Sequence, residues 1–354
     1  MAEQQQAQKN EKHVTKRINV ALQGGGAHGA FTWGVLDRLL ESDRIEIAAI
    51  SGTSAGAMNG VVLVDGIMAG GKEGGRKALG DFWRAVYQRA KTSPYQMLPM
   101  KMFSDSFNLD HLPGFIGLDI LSRLMSPYEL NPLDFNPLKE LLLEQVDFER
   151  VRSCDKIKLF LSATSVRNGT VKRFDRNRLT VDHVMASACL PFMFKAVEVE
   201  GEDFWDGGYA GNPILYPFAY ESDASDIVIV QINPLSCQET PNTAREILNR
   251  VNEITFNASL IHELRAINFV AKLLDEGSLD SGRYRKMLVH SISDEKGFKP
   301  LNASSKLNTE WEFLEHLHAL GYAAAANWLE EHFDSLGNHS SLDVAAILRG
   351  CTGK

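Results

Sequence analysis

Twice within the first 64 residues an apolar run ends in a glycine turn and gives way to a helix. Arg17 to Leu22 (R-I-N-V-A-L) reads as a short buried strand, Gly24 to Gly29 as a glycine-rich turn, and Ala30 to Leu40 has helical periodicity. Ile45 to Ile50 (I-E-I-A-A-I) repeats the strand, Ser51 to Gly56 the tight turn, and a small-residue helix runs from about Ala55 into Val64. Parallel neighbours need a crossover helix between them, so this alternation predicts a mostly parallel sheet with helices packed over it, an α/β fold.

Later segments extend that sheet. Lys156 to Ser165 and Thr170 to Phe174 read as a hairpin around Asn168-Gly169, a strong turn signal. Met193 to Val199 and Asp203 to Asp206 pair around Gly201, Asp226 to Ile232 is a buried strand, and Met287 to Ile292 is the last. Ala244 to Leu274 and Asn308 to His332 are helical. There is no internal repeat and no clear linker. The expected organisation is a disordered polar tail over residues 1–16 and a single domain over 17–354, with a helical extension at 300–340. The Pro-, Met- and Phe-rich stretch 91–136 is too irregular for one helix, and reads as a helical cap with turns, or as a lid facing lipid near the site.

Charge and cysteine usage narrow the function. A net charge of -8 argues against general nucleic-acid binding, which needs clustered Lys and Arg. The four cysteines, Cys154, Cys189, Cys237 and Cys351, lie far apart without a C-x-x-C, so a structural metal or disulfide framework is not expected. The N-terminus has no apolar signal core, and no stretch reaches the roughly 20 apolar residues of a membrane span. A cytoplasmic location is expected.

The two turns are the candidate chemistry. Gly52-Thr53-Ser54-Ala55-Gly56 has the form G-x-S-x-G. A serine at a sharp strand-to-helix turn projects its hydroxyl away from the sheet, and the following helix aims its N-terminal amides at a developing oxyanion. A glycine packing turn is the bland alternative. Gly24-Gly25-Gly26-Ala27-His28-Gly29 also matches the dinucleotide pattern G-x-G-x-x-G, but the second strand ends A-A-I-S-G-T-S-A-G, without the acidic residue that would hold a ribose. Successive glycines instead allow the amides of Gly24, Gly25 and Gly26, with that of Ala55, to converge on one oxygen. His28 is either a surface histidine, an orienter of the loop or a contact for an anionic head group.

None of the histidines after Asp206 sits in an evident catalytic turn. Asp206-Gly207-Gly208 ends a short strand, and a carboxylate there, with permissive glycines behind it, could take the Ser54 proton directly. The alternative is a plain Asp-Gly turn.

In this order, the three motifs resemble the patatin-like phospholipase family. Gly24 to Gly29 fits its oxyanion loop, Gly52 to Gly56 its nucleophile elbow, and Asp206-Gly207-Gly208 its dyad aspartate. Ala186-Ser187-Ala188-Cys189-Leu190-Pro191-Phe192 is similar to a block that packs beside the site, and the S-S-K-L-N-T-E-W helix from Ser304 is similar to bacterial members. Arg or Lys is the more familiar residue where His28 stands. The resemblance implies a three-layer α/β/α fold and a serine acyl-ester hydrolase of phospholipase A or lysophospholipase type. Ser54 and Asp206 would be its catalytic residues, and Gly24, Gly25, Gly26 and Ala55 its oxyanion hole. His28, Gly29, Gly52, Gly56, Gly207 and Gly208 would support them. It implies no metal or cofactor, and a lipid or acyl-ester partner with peripheral membrane contact. An acyltransferase or storage-polyester depolymerase on the same site, and a non-enzymatic regulatory protein, are the alternatives.

Overall fold

The computed structural model describes residues 15–91, 106–110, 112–237 and 239–350. Most of the N-terminal tail and residues 92–105 of the lid segment therefore lie outside the described residues, as does Cys351. Among the described residues eight strands form one sheet: β1 (Lys16–Leu22), β2 (Ile45–Gly52), β3 (Lys158–Ser165), β4 (Val171–Asp175), β5 (Val197–Val199), β6 (Glu202–Asp206), β7 (Asp226–Val230) and β8 (Leu288–Ile292). Their order is β5-β6-β3-β2-β1-β7-β8, with β4 paired to β3. The β3-β2-β1-β7-β8 run is parallel throughout; β3-β4 and β5-β6 are antiparallel hairpins, and β6 pairs antiparallel with β3. Both expected hairpins are present; Gly169 and Gly201 hold the positive φ of their turns.

The helices are α1 (Gly29–Glu41), α2 (Ala55–Lys91), α3 (Pro113–Leu124), α4 (Pro127–Leu130), α5 (Pro137–Gln145), α6 (Phe148–Ser153), α7 (Val181–Ser187), α8 (Tyr216–Glu221), α9 (Ala244–Asp275), α10 (Glu295–Phe298), α11 (Trp311–His332) and α12 (Val344–Leu348). Strand alternation divides the core between the two faces of the sheet. Ile18, Val20 and Leu22 of β1, with Val228 and Val230 of β7, pack against α1, α2 and α11. Ala21, Ile227 and Ile229 face the other way, onto Phe218 of α8, Leu260 and Leu264 of α9 and Val344 of α12. Helices on both faces of a mostly parallel sheet make the three expected layers.

Two local features depart from the sequence reading. Helix α2 bends back at Gly70 and Gly71, whose backbones are non-helical. Its two halves approach so closely that a Cβ on Gly74 would lie 2.3 Å from the Gly66 carbonyl oxygen. The S-K-L-N-T-E-W segment is not one helix. Asn302 caps a short 3-10 turn over Ala303–Leu307 by accepting from the Ser304 N–H, and Asn308 then takes the Glu310 N–H ahead of α11.

Candidate active site

The loops that leave the carboxyl ends of β1, β2 and β7 meet at one edge of the sheet, the usual place for a site in an open α/β fold. Ser54 follows β2 and has φ 55°, in the left-handed region that non-glycine residues seldom occupy. Its N–H donates to Ser187 Oγ at the end of α7 (2.9 Å), and Thr53 Oγ1 donates to the Gly211 carbonyl (2.7 Å). The turn is thus clamped on both sides of the serine. The flanking glycines are there for space: a Cβ on Gly56 would lie 2.2 Å from the Leu22 carbonyl oxygen, and one on Gly52 would lie 2.5 Å from that of Gly56.

Asp206, at the end of β6, is fully buried. Its backbone N–H donates to the Cys189 carbonyl (2.7 Å), and its Oδ1 accepts the Gly208 N–H (2.7 Å). Among the described residues Oδ2 has no partner of ordinary hydrogen-bond geometry, while the Ser54 hydroxyl lies close enough to act on the carboxylate as a donor. Burial raises the Asp206 pKa to about 6, opposed by the Gly208 N–H, the Ser54 hydroxyl and the charge of Lys306. The same burial, reinforced by Asp206, pushes the Cys189 thiol and the Tyr209 phenol up to about 12. Gly207 and Gly208 let the turn pack: a Cβ on either would lie within 2.3 Å of Ser162 or Phe256.

The glycine loop faces Ser54, with Gly24 against the Ser54 side chain; a Cβ on Gly24 would lie 2.8 Å from Ser54 Cβ. The Gly24 N–H is already given to Asn212 Oδ1 (2.7 Å), so it is engaged rather than open to an oxyanion. The amides of Gly25, Gly26 and Ala55 have no acceptor among the described residues. Gly29 lies against Ala55 at the start of α1. His28 is buried under the loop, not at the surface: Nε2 pairs with Ser305 Oγ (2.8 Å), and its ring packs on Phe298 and Phe313. Burial, then the nearby Lys306 charge, hold its pKa well below the usual histidine value.

A set of buried amides absent from the sequence reading holds this loop. Gln23 Oε1 accepts the N–H groups of Ile232 (2.9 Å) and Asn233 (3.0 Å), and Gln23 Nε2 donates to Asn257 Oδ1 (3.1 Å). Asn233 Nδ2 donates to the Gly24 carbonyl (2.9 Å). The available signal was positional: Gln23 and Asn233 are polar residues just beyond the ends of apolar strands, where nothing solvates them.

The patatin-like phospholipase family model matches residues 20–219, more than half of the chain and all the residues above except those of the C-terminal part. The chain belongs to the patatin-like phospholipase family. Among solved structures, VipD from Legionella pneumophila is 18% identical, with a TM-score of 0.42 over 90% of this chain and 67% of that one. The type III effector protein ExoU is 14% identical, with a TM-score of 0.32 over 88% of this chain, which spans only 53% of ExoU. No curated protein matches in sequence. As a patatin-like chain it carries the fold of lipid acyl hydrolases, and among its described residues no helix is long and apolar enough to cross a membrane.

Proposed function

We propose that this protein hydrolyses acyl esters of lipids with a Ser54–Asp206 dyad. The observation that carries this reading is the left-handed Ser54 at the head of α2, its hydroxyl against a buried carboxylate of raised pKa. Asp206 accepts the Ser54 proton as Oγ attacks the ester carbonyl. The amides of Gly25, Gly26 and Ala55 receive the oxyanion, at the N-terminus of α2 where the helix dipole favours negative charge. The intermediate collapses to an acyl-enzyme, and the leaving alcohol takes the proton from Asp206. Water then gives a proton to Asp206, attacks the acyl carbon and releases the fatty acid, and Ser54 recovers its proton. Gly24 supports the turn by contact and is not among the donors. Exposed apolar residues on α4, on the turn after it and on the loop before β5 make a lipid-facing rim. The setting is cytoplasmic, with contact at the membrane surface.

The test is turnover of a p-nitrophenyl ester and product analysis by lipid mass spectrometry. Ser54→Ala and Asp206→Asn are each expected to lose about 10³-fold or more in kcat, with circular dichroism unchanged. Either variant turning over at near wild-type rate would show that the dyad is misassigned.

A further inference from the structure

The loop behind the glycines holds a cation that the dyad chemistry above leaves unused. Lys306 lies in the 3-10 turn Ala303–Leu307, beyond the family-matched residues 20–219. Its backbone braces the glycine loop: a Cβ on Gly26 would lie 2.3 Å from the Lys306 carbonyl oxygen. Its Nζ donates to Asn233 Oδ1 (2.8 Å) and Asn252 Oδ1 (3.2 Å), and stands 5.3 Å from the centre of the Phe256 ring. Phe256 in turn presses on Gly208, the residue whose N–H holds Asp206. Asn233 is the same residue that binds the Gly24 carbonyl. We propose that Lys306 is a positioning cation for Asp206: its ammonium, fixed by two side-chain amides, keeps the buried carboxylate ionised near neutral pH. The inference rests on the dyad reading of the previous subsection.

The surroundings allow the charge to act. Around the ammonium stand His28 from the glycine loop, Glu253 from α9 and Asp206 from β6. Glu253 is engaged by Arg250 (2.8 Å). Around Asp206 stand Ser54, Cys189, Tyr209 and Lys306. Of these, Cys189 and Tyr209 stay neutral near pH 7, leaving Lys306 as the group that favours the charged carboxylate by its own charge. Neutral amide oxygens hold the ammonium without cancelling it, as a carboxylate partner would. Burial pulls the Lys306 pKa down to about 8, so it remains protonated where Asp206 titrates, near 6.

The experiment is the pH profile of kcat/KM on a soluble ester for wild type, Lys306→Met, Lys306→Arg and Asn252→Asp. The acid limb of wild type reports Asp206. Lys306→Met is expected to move that limb to higher pH, costing up to about 10-fold in kcat/KM for each unit moved, with turnover largely recovered above the limb. Lys306→Arg keeps the charge and is expected to leave the limb in place. Asn252→Asp puts a carboxylate against the ammonium and is expected to move the limb upward, which carries the test should Lys306→Met not fold. A folded Lys306→Met or Asn252→Asp whose limb stays put, or whose turnover falls alike at every pH, would reduce Lys306 to a packing residue. Absence of Ser54-dependent turnover in wild type would instead overturn the hydrolase reading itself.

Discussion

At the scale of single residues, the site sets function against stability. The folded pKa of Asp206, about 6, lies above the ordinary carboxylate value of 3.8. Between those values the native state binds the extra proton, so stability falls as pH rises through that window, and the whole penalty is present at pH 7. For a group this buried it is about 3 kcal/mol. Asp206→Asn carries no charge and keeps an Oδ1 for the Gly208 N–H. Asp206→Asn is therefore expected to be more stable at pH 7 by about 2–3 kcal/mol, with the gain vanishing near pH 4. Thermal unfolding at the two pH values checks this. The same titration predicts that wild-type ester turnover falls as pH drops through 6. Ser187 gives a second residue-scale outcome. Ser187→Ala leaves the buried Ser54 N–H without its acceptor, at an expected cost of about 1–3 kcal/mol, read from urea unfolding. Ser54, Asp206 and the glycines stood out in the sequence because each is embedded in a short local pattern. Gln23, Asn212 and Asn233 did not, because their hydrogen bonds join residues far apart in the chain.

At the scale of elements, α11 is coupled to α1 by backbone contact. Gly34 of α1 and Gly321 of α11 sit at the crossing. A Cβ on Gly34 would lie 2.0 Å from the His318 carbonyl oxygen, and one on Gly321 equally close to that of Phe31. Backbone cannot retreat as a flexible side chain can, so Gly321→Ala is expected to cost about 2–3 kcal/mol or to force the helices apart. Urea unfolding measures that cost. Because α11 follows the turn that carries Lys306, the same variant is also expected to slow ester turnover. The parallel strands and both hairpins were legible from apolar runs and Asn-Gly or Gly turns, whose signals are local. The break between Ala303–Leu307 and α11 was not, since S-K-L-N-T-E-W has helical character throughout and only the side chains of Asn302 and Asn308 decide where the backbone turns. Nor was the bend of α2 at Gly70 and Gly71, where the determinant is glycine-on-glycine packing between segments that the sequence shows only as a run of small residues.

At the scale of the molecule, the acid, the loop before β5 and the apolar rim form one continuous structure. The Cys189 carbonyl holds the Asp206 N–H, and Cys189 opens the segment that runs through Phe192 and Met193 to Lys195. Lys195 Nζ donates to the Pro132 carbonyl (2.8 Å), and the Ala196 N–H donates to the Tyr128 hydroxyl (3.3 Å). These bonds seat the 126–135 stretch beside the loop. Large apolar side chains on both pieces stay in solvent, Leu133 90% exposed and Phe192 68%. Scattered exposed apolar residues are ordinary, but a group tied to the same loop as the proposed base is a candidate surface for lipid. Full burial of one such side chain contributes about 1.5–3 kcal/mol, and a charge in its place removes that and adds a desolvation cost. Leu133→Asp and Phe192→Asp are each expected to lower the ratio of vesicle to soluble-ester turnover by about 10-fold or more. A site that takes its substrate from free solution would lose both activities together or neither. The ratio, measured with phospholipid vesicles and a p-nitrophenyl ester on the same preparation, therefore separates a lipid-facing rim from an incidental one without depending on which lipid is the natural substrate.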